Sequence, residues 1–348
     1  MSRRDPWGAR AAALALAGVA LSAGAFAANY EVSALWTPGG DGSWDYLSVD
    51  PAAHRLYVTR STHVLIIDTN TGQGVGDIAD TPGAHGVALA QDLGRGFVSA
   101  GKANAAKAFD LVSGKTLASI PTGNKPDSIM YDAKTHLVVA FNGHDASATL
   151  IDARSLAAVK PVPLGGSPES GRGDDLGHAW VNLEDRNELA AIDLEAAKVT
   201  GHWPLPGCEG PTGLALDVAH HRSFSSCANR VMVILDTQTG RKIASLPIGD
   251  RTDGAEFDAA SADAYSANGD GTLTVVHESD PEHFSVTQTL QTARGARTIA
   301  LDPTTHTLYL PTAHFGPQAA GSKEKPPILP GTFEVLVVKA LPGPTTAR

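Results

Sequence analysis

Apolar residues along this chain come in runs of four to six, each closed by a polar residue and a turn. LYVTRSTHVLIIDTNTG at 56–72, AKAFDLVSGKTLASIPTG at 106–123 and VMVILDTQTGRKIASLPIG at 231–249 share one order: apolar run, Asp, Thr/Ser-Gly turn, second alternating run. Short alternating runs bounded by such turns predict β-strands. The aspartate recurs at Asp68, Asp110, Asp152, Asp193 and Asp236, with gaps of 42, 42, 41 and 43 residues. His277 takes the same place 41 residues later, and a seventh run, FEVLVVKA, follows the Pro/Gly-rich stretch HFGPQAAGSKEKPPILPGT.

Each unit also has two earlier strands. The first is read in GVALA, DSIMYD, TGLALD, DGAEFD and RTIALD; the second in HRLYVT, HLVVAF, HRSFSS and HTLYLP. Four short strands every forty or so residues define a propeller blade, which must stack on its neighbours to bury both faces. First strands beginning near Trp44, Gly86, Asp127, Ser170, Thr212, Asp253 and Thr298 make seven blades. The last blade lacks an outer strand at its C-terminal end, whereas YEVSALWTPGG at 30–40 has that pattern. The reading is an all-β, seven-bladed β-propeller of four-stranded antiparallel blades, with the N-terminal strand completing the last blade. Closure of this kind removes exposed sheet edges. It makes one domain over 28–340, with an insert at 314–332 expected to overhang the ring as a mobile segment, and a flexible tail at 341–348.

LYVTRSTHVLIIDTNTG resembles the YVTN-type repeat of YncE-like seven-bladed propellers, over essentially the whole mature chain. CEGPTGLALD, NGDGTLTVVHE and RGARTIALDPTTHTLYLPTAHFGP resemble a secreted bacterial branch of that family. The resemblance implies the fold and export. Related seven-bladed rings include lactonases and a streptogramin lyase, so the fold does not decide between binding and catalysis.

Composition agrees with many turns and few helices: 36 Gly and 22 Pro against 3 Met, with 42% hydrophobic and 18% charged residues. Arg3, Arg4 and Arg10 precede AAALALAGVAL, and Ala25-Phe26-Ala27 supplies a small-residue cleavage site. That predicts a cleavable signal peptide over 1–27 and a periplasmic or secreted protein. The apolar run is too short to span a bilayer, and no later run is longer. Asp5-Pro6-Trp7 after the arginine pair favours general secretion over twin-arginine export. Loss of the segment, with three arginines and one aspartate, takes the net charge from −10 to −12. An acidic body without a basic cluster argues against nucleic acid as partner. A small molecule, peptide or protein remains, bound by a monomer.

The recurrent aspartates read as turn residues, their carboxylates accepting backbone N–H groups. His54, His136, His220, His221 and His306 fall at the turn between the first two strands and read likewise. In a propeller, the start of the first strand and the end of the second emerge on one face. The starts are Trp44, Asp45, His85, Asp127, Glu169, Glu209, Asp253 and Arg297; the ends include Arg60, Lys102, Asn142, His144, Asn182, Asn268 and His314. These predict a polar collar at the channel mouth, with Trp44, Asp45, His85, Asp127, His144, Glu169, Asp253, Arg297 and His314 as ligand-binding candidates. No cofactor is required by any motif, but His85, His144 and His314 with nearby carboxylates leave room for a divalent cation. Cys208 and Cys227 are the only cysteines and fall within one blade, which predicts a disulfide. G-x-S-x-G, H-E-x-x-H and P-loop motifs are absent. The expected function is an exported binding module acting at the mouth. The alternatives are a metal-assisted lactonase or lyase at the same mouth, and a non-catalytic assembly scaffold.

Overall fold

The computed structural model describes residues 29–318 and 325–341. The signal-peptide reading, the middle of the insert and nearly all of the C-terminal tail lie outside the described residues. The described chain forms seven four-stranded antiparallel sheets. We number them as blades 1 to 7: residues 47–78, 84–121, 126–163, 168–204, 211–247, 252–291, and 300–340 with 30–36. In blade 7 the order is Tyr30–Trp36, Glu334–Ala340, Thr307–Thr312, Ala300–Asp302, so the two ends of the chain meet in one sheet. The register runs from Tyr30 opposite Ala340 to Trp36 opposite Val335.

Side chains secure this closure against blade 6. Tyr30 hydroxyl lies 2.7 Å from both Asp263 Oδ2 and Tyr265 Oη. The Gln288 side chain accepts from Tyr30 N–H and donates to Tyr30 C=O, each at 2.8 Å. A buried polar group needs such partners, and here they tie residues more than two hundred positions apart.

Burial follows strand position. The second strand of blade 5, Arg222–Cys227, is buried throughout, whereas the fourth strand of blade 4, Lys198–Pro204, alternates exposed and half-buried. Inner strands are covered on both faces by neighbouring blades, and the rim meets water. Phe141, Val139 and Leu150 of blade 3 share one core cluster with Val181, Leu183 and Ile192 of blade 4. Where first strands approach at the hub there is no room for a side chain: a Cβ on Gly213 would lie 2.7 Å from the Gly254 carbonyl carbon.

The recurrent aspartates are turn residues. Asp68 Oδ1 accepts from the N–H of Asn70 and of Thr71, both at 2.9 Å, and Asp236 repeats this with Gln238 and Thr239. Those hydrogen bonds hold the Asp68 carboxyl below the ordinary range, the Thr71 N–H contributing most. His54, His136, His221 and His306 occupy the left-handed region, with φ of 53, 54, 58 and 55°. His220 precedes that position and has a different role, described below.

Candidate functional site

Bulges aim the mouth residues inward. The ladders between the first two strands shift register at 84/87 in blade 2, 126/129 in blade 3, 168/171 in blade 4, 211/214 in blade 5 and 252/254 in blade 6. An extra residue at the edge of a ladder redirects its side chain. His85, Asp127, Glu169, Thr212 and Asp253 sit in these bulges, and Asp45 and Arg297 hold the same position in blades 1 and 7. The mouth is therefore a ring of one residue per blade. In blade 5 that residue is Thr212. Glu209 lies outside, exposed, its N–H bonded to Asn229.

Charge is paired around most of the ring. His85 Nδ1 is 2.7 Å from Asp45 Oδ2 and 3.3 Å from Asp127 Oδ1, and Lys125 Nζ is 3.5 Å from Asp127 Oδ2. Arg297 Nε donates to Asp253 Oδ2 at 2.5 Å. Glu169 stands apart: among the described residues its carboxylate has no hydrogen-bond or ion-pair partner. Burial, then the fields of Asp127, Asp253, Glu184 and Asp45, push its pKa up to about 9. Burial also lifts Asp45 to about 6, against the pull of the His85 hydrogen bond. Burial opposes protonation of His85, but Asp45 and Asp127 outweigh it and the net shift is upward.

Beneath the ring, the next position is Gly86, Ser128, Ser170, Gly213, Gly254 and Thr298 in six blades, and Tyr46 in blade 1. The Tyr46 hydroxyl is buried without a partner. Burial, then the fields of Glu169, Asp253, Asp45 and Asp127, raise it well above its ordinary pKa. Tyr46 was missed in the sequence; its signal was the lone large residue at a position otherwise Gly, Ser or Thr. Two residues further along the strand, Arg172 of blade 4 meets Glu256 of blade 6 at 2.9 Å and also reaches Ala255 C=O. This pair joins non-adjacent blades, so it lies across the channel below the mouth.

Over the ring is a cavity of about 390 Å³, lined by Trp44, Asp45, His85, Lys102, Arg297, Phe315, Lys325 and Ile328 among others. Phe315, Lys325 and Ile328 belong to the insert, so its described ends do overhang the mouth. Trp44 is a wall, buried against Phe333 and Phe315 at 5.9 and 6.2 Å. His144 is exposed and shares a second hollow with His85, Lys102 and Lys125. His314 lies elsewhere, with Arg294 and Phe315, 3.5 Å from Glu334. His85, His144 and His314 thus do not gather as one set; the metal-capable neighbours of His85 are Asp45 and Asp127.

Several collar residues turn inward instead. Arg60 is 2% exposed, stacks on Phe333 at 3.8 Å and donates to the carbonyls of Gly39, Asp41 and Gly42. Asn142, Asn182 and Asn268 are buried and tie strands together. Arg60 and Asn182 satisfy backbone carbonyls, whereas Asn142 and Asn268 donate to threonine hydroxyls of the next strand, so these polar loop-end residues serve the fold. Cys208 and Cys227 form the expected disulfide.

No family model matches the sequence, and no curated protein matches it. Among solved structures, the chain is similar to Kuenenia stuttgartiensis hydrazine synthase. The TM-score is 0.68 over 79% of this chain and 92% of that one, at 14% identity. A likeness at that identity shows the propeller fold alone. Among the described residues, no helix is long and apolar enough to cross a membrane.

Proposed function

We propose that the protein is a binding module whose ligand enters the mouth and presents a cationic or strongly hydrogen-bond-donating group to Glu169. The observation that carries this reading is the unpaired carboxyl of Glu169 in a ring whose other three carboxylates have cationic partners. A half-buried acid without a donor is costly unless protonated, and a ligand ammonium or guanidinium would meet that need. Tyr46 and the Arg172–Glu256 pair under the ring support a blind cup rather than a conduit. Phe315 and Ile328 supply the apolar wall that a small ligand or peptide side chain requires. Membership of a YncE-like secreted branch rests on the YVTN-type repeat, and export is supported by the Cys208–Cys227 disulfide.

The test is thermal melting and calorimetry with argininamide and spermidine as cationic probes and citrate as the anionic control. The cations should raise the melting temperature of the wild type and not of Glu169→Gln. Equal shifts in both proteins, or none with either cation, would remove this reading. A metal-assisted lactonase or lyase is the second reading, supported by His85 standing between Asp45 and Asp127. Metal analysis of purified wild type and His85→Ala decides it: a metal-free wild type removes it.

A further inference from the structure

Two residues that break the repeat meet on the face opposite the mouth, at the seam between blades 5 and 6. The position after the strand-three aspartate is Thr69, Leu111, Ala153, Leu194 and Thr237 in blades 1 to 5, and Glu278 in blade 6. Its backbone N–H bonds to the strand one–two turn in every case, as Glu278 does to Ala262, so the site is inside the fold. Glu278 is 4% exposed, and neither carboxylate oxygen accepts a hydrogen bond. The second departure is His220. Its place at the turn is taken by Ala53, Leu93, Thr135, Leu176, Ser261 and Thr305 elsewhere. In blade 3, Thr135 caps its own turn aspartate, Asp132, at 2.6 Å. His220 does the same to Asp217, with Nδ1 2.5 Å from Oδ2, and the same nitrogen lies 3.0 Å from Glu278 Oε1.

One ring nitrogen carries at most one proton, which cannot serve two carboxylates. Asp217 already takes backbone N–H groups from Ala219 and His220 on its other oxygen. Glu278 takes nothing. Arg222 is near enough to act on Glu278 through its field, but its donors go to Pro281 C=O, His221 C=O, Asp236 and Glu282. Carboxylate, imidazole and carboxylate thus face one point with a single proton among them, all within 4.8 Å of one another. The imidazole is half exposed, which gives an ion a path in.

We propose that Asp217, His220 and Glu278 form a divalent-cation site that clamps blade 5 to blade 6, independent of the mouth. Three protein ligands with one nitrogen suit zinc and its first-row neighbours, at bond lengths of about 2.0–2.2 Å. Calcium and magnesium prefer oxygen alone.

The experiment uses zinc chloride with the wild type, Glu278→Gln, His220→Ala and His85→Ala. The readouts are zinc anomalous diffraction and native mass spectrometry. The expected result is an anomalous peak bounded by Asp217, His220 and Glu278 in the wild type and His85→Ala, lost in the other two. Zinc-free Glu278→Gln should melt at or above the wild type, since the substitution removes an orphaned acid and keeps its shape. No peak at the seam, or a peak undiminished in both seam variants, overturns the proposal. So does a Glu278→Gln protein that melts lower than the wild type without zinc, because the carboxyl would then be a structural partner.

Discussion

Two histidines in this ring stand between paired carboxylates, His85 at the mouth and His220 at the opposite seam. At the mouth the imidazole lies 2.7 and 3.3 Å from its neighbours, and at the seam 2.5 and 3.0 Å. The geometry is nearly the same. The surroundings are not: Lys125 reaches the second carboxylate at the mouth, whereas Glu278 at the seam has only the shared imidazole. A His–carboxylate cluster is thus identified as a cation site by what remains uncompensated, and less by which residues compose it. At the mouth the uncompensated group is Glu169, one blade further round, so the vacancy there suits a ligand's cationic group more than a metal.

The largest effect that separates the two faces should come from the disulfide, which staples the loop before blade 5 on the mouth side. Its sequence separation of 19 residues corresponds to about 3 kcal/mol of loop-closure stabilisation. Cys208→Ser/Cys227→Ser should lower stability by that order in calorimetry and leave zinc binding at the seam unchanged. Loss of seam binding in that variant would mean the two faces are not independent.

Per pH unit, the next effect is the pH dependence of the mouth. Glu169 and Asp45 hold protons in the folded state that the unfolded chain has released, with pKa values near 9 and 6 against an ordinary carboxyl. A raised folded pKa favours the folded state at low pH, so stability should fall as pH rises from about 4 and level off past about 9. Each such proton contributes a slope of at most about 1.4 kcal/mol per pH unit. Melting temperature against pH should flatten above about pH 7 in Glu169→Gln, once Asp45 and the raised Glu278 carboxyl have both lost their protons. An unchanged slope would show that Glu169 is already compensated.

The smallest effect converts one face toward the other. Lys125→Ala removes the cation beside Asp127 and should raise zinc affinity at His85 by about two- to five-fold, the order expected for a solvent-screened, half-exposed ion pair. Titration calorimetry in a His220→Ala background isolates it. No change would place Lys125 outside the balance of the mouth.

The repeat was legible in the sequence because its parts are local: strand alternation and the Asp-x-x-Thr/Ser-Gly turn each act over a few residues, and their recurrence every forty or so residues counts the blades. Ring closure by Tyr30–Trp36 was legible too, since a missing outer strand and a spare one leave a single economical pairing. The disulfide followed from two cysteines in one blade. Of the mouth, Asp45, His85, Asp127, Glu169, Asp253 and Arg297 were named from their shared position at the start of strand one. Glu209 was named in place of Thr212 because a bulge, not the sequence spacing, sets which residue of blade 5 turns inward. The buried asparagines and Arg60 looked like collar residues for the same reason: a polar side chain near a strand end does not say which way it faces.

The blade and the number of its copies are written in local pattern, through interactions that each blade makes within itself. Which departures from the repeat stand together depends on how the blades pack around the ring. Arg172 with Glu256, and Glu278 with His220, each come from different blades. Their distances depend on the angle between sheets around the ring, and no local pattern of hydrophobic and polar residues encodes that angle.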